Sequence, residues 1–168
     1  MLAGDLPEYP TRGRRRRLDE AWLELLYREG ISRFLKAAPP PPEELTRAVE
    51  EFNQGLYWRC HETLEDVWLP ERYPLRLFYH GLIKAAVGLL HLERRNRHGA
   101  LVKLDDAQRT LYSFAPRFMG IDTGRLRRDL EASWARAGGA EPVDWEAMAA
   151  LPPVRIHLAL ETRAPPRE

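Results

Sequence analysis

Residues 75–95 read LRLFYHGLIKAAVGLLHLERR. Apolar side chains occupy every turn of this run, prolines stand before it at Pro70 and Pro74, and Arg94-Arg95 close it. The pattern predicts a helix that is apolar over most of its circumference, which is the signature of a buried central element. The longest apolar stretch, Leu82 to Leu92, is broken by Lys84 and His91 and is far too short to cross a bilayer. A helix of this kind must be wrapped by others, and amphipathic segments lie on both sides of it.

Upstream, Leu56 to Leu69 predicts a helix with two stripes. Leu56, Cys60, Leu64 and Val67 make the apolar one; Tyr57, His61, Glu65 and Trp68 make a polar-aromatic one. Asn53-Gln54-Gly55 reads as a tight turn from an earlier helix that opens at Pro42-Glu43-Glu44 and carries Leu45, Val49 and Phe52. Pro39 to Pro42 predict an extended spacer. Before it, Leu18 to about Ala37 predicts one helix weakened in the middle by Gly30, and residues 1–17, with Pro7, Pro10 and Gly13, predict a charged tail.

Downstream, Asn96 to Gly99 is a break, followed by helices over about Ala100 to Phe114 and Thr123 to Ala137 with Pro116 and Gly120 between them. After Gly138-Gly139 the pattern weakens. Asp144 to Ala150 predicts one or two helical turns, and Val154 to Leu160 an extended stretch. The expectation is an all-α compact bundle of about five to six helices. Its parts are a tail and arm over 1–38, a spacer at 39–42, a core at 43–138 and an irregular extension over 139–168.

Lys and Arg number 26 against 25 Asp and Glu, so no net field favours a nucleic-acid or membrane partner. Cys60 is the single cysteine, which excludes an internal disulfide and suits a reducing compartment. The first ten residues lack the apolar run of a secretory signal, so a cytoplasmic location is expected. No nucleophile elbow, phosphate loop or dinucleotide fingerprint occurs.

Phe52, Gly55, the Tyr57-Trp58 pair, His61-Glu62, Glu65 and Trp68 follow one another in order, and then come Gly81-Leu82-Ile83 and His91. This set resembles the bacterial and archaeal domain-of-unknown-function family 309 (DUF309), over about residues 43 to 131. His80 and Lys84 depart from its usual pattern. The resemblance implies a compact helical bundle and no assigned activity, with Phe52, Gly55, Gly81 and His91 as motif positions of structural use.

His61 and Glu65, four apart, share a helix face with Glu62 beside them. Set against the zinc-protease pattern, Glu65 replaces the second histidine, giving a mixed nitrogen–oxygen donor pair suited to one divalent transition metal such as Mn, Fe or Zn. An antiparallel pairing about the Pro70–Pro74 turn sets His61 opposite Ile83, with His80 and Lys84 one turn to either side and Gly81 permitting a close approach near Glu62.

Two readings of this cluster stay open. In one, His61 and Glu65 are metal ligands, Glu62 is the general base of a hydrolase-like enzyme, and His80 completes the site. In the other, favoured because Lys84 can itself neutralise the carboxylates, the polar groups fix helix packing under Tyr57 and Trp68. The second makes the chain a structural or interaction module. Trp22, Tyr27 and Phe34 of the arm then need a surface on the same chain, on a second copy or on a protein partner. His91 is expected near the Asn53–Gly55 turn or a helix end, and Cys60 in the core. Arg14 to Arg17, Arg94, Arg95 and Arg97, and Arg125, Arg127 and Arg128 form basic clusters; phosphate-backbone binding is the least favoured function, because the overall charge is near zero.

Overall fold

The computed structural model describes residues 12–139 and 141–158. In chain order it has α1 (Arg12–Glu29), a 3-10 turn (Ile31–Arg33), α2 (Glu43–Asn53), α3 (Tyr57–Trp68), α4 (Leu75–Glu93) and α5 (Arg97–Leu111). A second 3-10 turn (Tyr112–Phe114), α6 (Thr123–Gly139) and the short α7 (Trp145–Ala149) follow. Among the described residues there is no strand, only isolated bridges between Phe118 and Ile121 and between Ile121 and Leu158. The fold is all-α, as the periodicity requires.

Helix α4 lies at the centre between α3 and α5; α2 packs on α3, and α6 on α5. Twelve of its residues are buried, from Arg76 to Leu90. Its approach to α5 is closest at Gly81 and Gly88. A Cβ on Gly81 would stand 2.8 Å from the Leu111 side chain, and one on Gly88 2.8 Å from Leu104 and 3.2 Å from its backbone nitrogen. Gly81 therefore serves contact with α5, not the expected approach to α3 near Glu62. At the lower end of α4 the rings of Phe78, Phe114 and Phe118 meet pairwise with centroids 4.8 to 5.5 Å apart, tying in the segment between α5 and α6.

The first helix differs from expectation at both ends. It begins at Arg12, taking in Gly13 and the arginine block, and stops at Glu29. Arginine is a good helix former, so the block extends the helix in spite of its charge. Gly30 adopts φ 76° and ends the helix instead of merely weakening it. Of the tail expected over residues 1–17, the part from Arg12 is helical and residues 1–11 lie outside the described residues.

The arm is not a separate body. Trp22 and Leu26, exposed by 3% and 1%, belong to the same apolar cluster as Phe52, Phe78, Leu104 and Ile156. Trp22 stacks on Tyr73 with centroids 5.4 Å apart and meets Phe34 edge-on at 5.3 Å. Pro42 is extended, as a spacer should be, at φ −68° and ψ 160°. It leads the chain back over the bundle so that α1 lands on α4 and the turn after α5.

The C-terminal stretch is held as a strap. Asn53 donates from Nδ2 to the Ile156 carbonyl (2.9 Å) and accepts from the Ile156 N–H at Oδ1 (2.7 Å). Asp122 N–H donates to the His157 carbonyl at 2.8 Å. The extended conformation expected from Val154 onward is present through Leu158; residues 159 and 160 lie outside the described part.

Candidate functional site

The motif histidines and acids fold into two separate places. On α3, His61 Nε2 lies 3.1 Å from Glu65 Oε1, and the His61 ring packs on Trp58 at 5.0 Å. Glu62 is exposed and makes no ion pair among the described residues. His80, expected to complete this cluster, instead meets Asp19 of α1 and Trp68. Its Nδ1 is 3.4 Å from Asp19 Oδ2 and its ring centroid 4.7 Å from that of Trp68. Among the described residues no group of three or more His, Cys, Asp or Glu is arranged to hold a metal ion.

Lys84 also turns elsewhere than predicted. Its Nζ is 3.3 Å from Thr110 Oγ1 on α5, within the fields of Asp106 and Asp19 and not of Glu62 or Glu65. The buried carboxylate of this region is one the sequence reading passed over. Glu51 on α2 accepts twice from the Thr63 hydroxyl, at 2.8 and 3.1 Å. Tyr57 lies edge-on to Phe52 at 5.5 Å. His91 sits at the α4–α5 turn, 3.2 Å from Asn96 Nδ2, while Asn96 Oδ1 caps α5 by accepting from Gly99 N–H. It is a helix-end residue, and the Asn53–Gly55 turn is occupied by the strap instead. Cys60 is wholly buried, and burial with Glu51 nearby pushes its thiol up to about 12, so it is a core thiol without nucleophilic character at neutral pH.

Arg76, His80 and Lys84 recur every four residues and so form one cationic stripe along α4. Arg76 is 1% exposed. Its Nη1 donates to the carbonyls of Trp68 (2.7 Å) and Leu69 (3.2 Å), and its guanidinium lies 4.4 Å from the Trp68 ring centre. It thereby closes the C-terminus of α3, where unpaired carbonyls and the helix dipole both favour a cation. Asp19 answers the other two members: His80 faces Oδ2 and Lys84 lies within the field of the carboxylate, while Tyr73 donates to Oδ1. The spacing made the stripe visible in the sequence; its acidic partner stands more than fifty residues away, on the arm.

The electrostatics of this cluster follow from its burial. Burial raises the Asp19 carboxyl, but His80, Tyr73 and the Lys84 charge outweigh it and leave the pKa below the ordinary value. Burial lowers His80, with Lys84 and Arg76 adding to the effect and Asp19 opposing it. Burial lowers Lys84 as well, against Asp106 and Asp19. At neutral pH the arrangement is a carboxylate facing a neutral imidazole and an ammonium.

A depressed histidine means that the unfolded chain binds its proton first as pH falls, so stability declines with acidification. His80 contributes in full above about pH 6.5, the ordinary histidine value, and loses that contribution as pH falls towards its folded pKa. Asp19 adds a loss in the same direction only below about pH 4. Between pH 7.5 and 5.0 the melting temperature of His80→Gln should therefore fall less than that of the wild type. Parallel curves would show that His80 is not held neutral by its surroundings.

The arm and body enclose a groove of about 710 Å³ lined by α1, α5 and the turn after α5. Tyr27 (72% exposed) and Tyr112 (51%) meet there with ring centroids 5.6 Å apart. Arg109 reaches across to Glu20 with both amino groups, at 2.9 and 3.3 Å. Arg127 lies over Tyr112, 4.8 Å from the ring centre, and donates to the Gln108 carbonyl. Glu24 and Asp105 line the same groove and make no ion pair among the described residues.

With this geometry in view, the comparisons with known proteins can be placed. Residues 45–102 match the family model described as "Domain of unknown function (DUF309)". The match covers this segment and not the rest of the chain. It runs from α2 into α5 and contains His61, Glu65, Arg76, His80 and Lys84. The resemblance seen in the motif is thus supported over these residues. The chain is also similar to an "Uncharacterized protein" of Aquifex aeolicus (strain VF5), 32% identical over 90 residues, which are 53% of this chain and 27% of the relative. The chain thus matches about a quarter of that relative's length. No solved structure matches. Among the described residues no helix is long and apolar enough to cross a membrane. Asp19 and the residues that line the groove, Tyr27 and Tyr112 among them, lie outside the matched residues 45–102.

Proposed function

We propose that the chain is a protein-interaction module. The polar residues of its DUF309 segment hold helices together, and its docked arm presents a groove for a basic, partly apolar segment of a partner protein. The observation that carries this reading is the imbalance of paired charges in the groove. Both arginines are engaged, Arg109 with Glu20 and Arg127 on Tyr112, whereas the carboxylates of Glu24 and Asp105 form no ion pair among the described residues, Asp105 lying only within the field of the already paired Arg109. Cations are wanted there. The exposed Tyr27 and Tyr112 rings supply the amphipathic surface on which interfaces concentrate binding energy.

A hydrolase-like reading through His61, Glu62 and Glu65 gains no support from the geometry, because Glu62 faces solvent apart from the His61–Glu65 pair and His80 is engaged by Asp19. Phosphate binding is supported still less at this groove, where the available charges are negative.

The test is titration of labelled model peptides: one alternating lysine with leucine and tryptophan, one with glutamate in place of every lysine. The basic peptide should bind the wild type and weaken with salt. Glu24→Lys with Asp105→Lys should weaken it about tenfold and improve the acidic peptide. Equal affinity for both peptides, or binding indifferent to the charge reversal, would refute the assignment.

A further inference from the structure

A second cavity, of about 550 Å³, lies on the other side of the molecule under the C-terminal strap. It falls within the usual range of small-molecule sites. Its floor is the end of α4, with Leu89 and Leu92; one wall is Tyr57 at the start of α3; the roof is α7 and the strap, through Trp145, Met148 and Val154. Leu89 is 6% exposed, and Tyr57, Leu92, Trp145, Met148 and Val154 are half-buried. These apolar faces stand among polar ones from Gln54, Glu93 and Ser133, and the strap that forms part of the roof is held because Asn53 grips Ile156 through both ends of its amide.

Two arginines stand at the mouth, Arg95 after α4 and Arg136 on α6. Neither makes an ion pair or a hydrogen bond through its side chain among the described residues. The acid lining the same cavity, Glu93, does not pair with either, although its field does raise the neighbouring Tyr57 hydroxyl. Arg95 is also held at φ 57°, in the left-handed region where a glycine would ordinarily end a helix. A side chain is kept at a position that costs about 1 kcal/mol or more of backbone strain, and that side chain is an unpaired cation at a cavity mouth.

We infer that this cavity binds a small amphipathic anion, an apolar or aromatic body carrying one carboxylate or phosphate, with the body between Tyr57, Leu92, Trp145 and Met148 and the head at Arg95 and Arg136. The arginine forks match carboxylate and phosphate geometry equally, and the apolar walls select for the body. The site is independent of the α1–α5 groove, which shares no lining residue with it.

The experiment is calorimetric titration of the full chain with decanoate, decan-1-amine and decyl phosphate, below their micelle concentrations. Decanoate or decyl phosphate should bind one to one and the amine at least tenfold more weakly, the tighter of the two anions identifying the head group. Arg95→Gln with Arg136→Gln, both on exposed residues, should reduce anion affinity about tenfold while leaving the melting temperature nearly unchanged. Val154→Trp, which fills the cavity, should abolish binding of all three. The inference fails if neither anion binds below millimolar concentration, if the amine binds as well as the anions, or if the double arginine variant binds as the wild type does.

Discussion

Arg76→Ala is expected to lower the melting temperature by about 6–12 °C, equivalent to roughly 3 kcal/mol in a chain of this size. Two effects compete. Removing a buried charge relieves a desolvation cost, which can make an apolar replacement neutral when it satisfies its surroundings. Alanine does not satisfy them. The Leu69 carbonyl loses the Arg76 donor at 3.2 Å, the Trp68 carbonyl loses its shorter bond at 2.7 Å and keeps only the Glu71 N–H, and the face of Trp68 loses the guanidinium that covers it. Arg76→Lys should fall in between, since an ammonium restores the charge at the end of α3 but not the planar fork over the indole. Thermal melts of the three proteins decide it. A loss below about 1 kcal/mol for alanine would mean that α3 ends without help from α4.

Asp19→Ala is the second large change, and its effect should be local. Asp19 is the acceptor for Tyr73, the partner of His80 and a counter-charge for Lys84. Its loss removes the acceptor of one Tyr73 hydrogen bond, the carboxylate facing His80 and one of the counter-charges of Lys84, at a cost of about 2 kcal/mol. The loss falls on the docking of α1, which the burial of Trp22 and Leu26 and the Arg109–Glu20 pair continue to hold. The arm should undock from the bundle more often, and the groove between Tyr27 and Tyr112 should be intact for less of the time. Peptide binding at the groove ought then to weaken even though no groove residue has been changed.

The fold was legible because it depends on periodicity, which is local. Residues 75–95 announced a buried helix, and α2, α3, α5 and α6 followed within a few residues of their expected limits. Where the reading of α1 went astray, the competition was between a charged block that favours helix and a glycine that permits left-handed backbone, and both resolved more sharply than expected. The site was less legible for a different reason. Counting along two antiparallel helices tells which residues stand level, but not which side of a fully buried helix faces which neighbour. Gly81 and Lys84 face α5, and His80 reaches Asp19 of the arm, so of the stripe only Arg76 and the His80 ring meet α3, both at Trp68. The four-residue recurrence of Arg76, His80 and Lys84 was the overlooked signal. It called for an acid from elsewhere, and the arm supplies Asp19.

The central claim is that His80 and Lys84 of α4 hold the arm in place through Asp19. The measurement that tests it most directly is amide hydrogen exchange, by mass spectrometry, of the wild type and Asp19→Ala. The account predicts roughly thirtyfold faster exchange confined to α1, with α4 and α5 unchanged, as a loss of about 2 kcal/mol in arm docking requires. Exchange in α1 that matches the wild type, or that rises equally in α4, would contradict it.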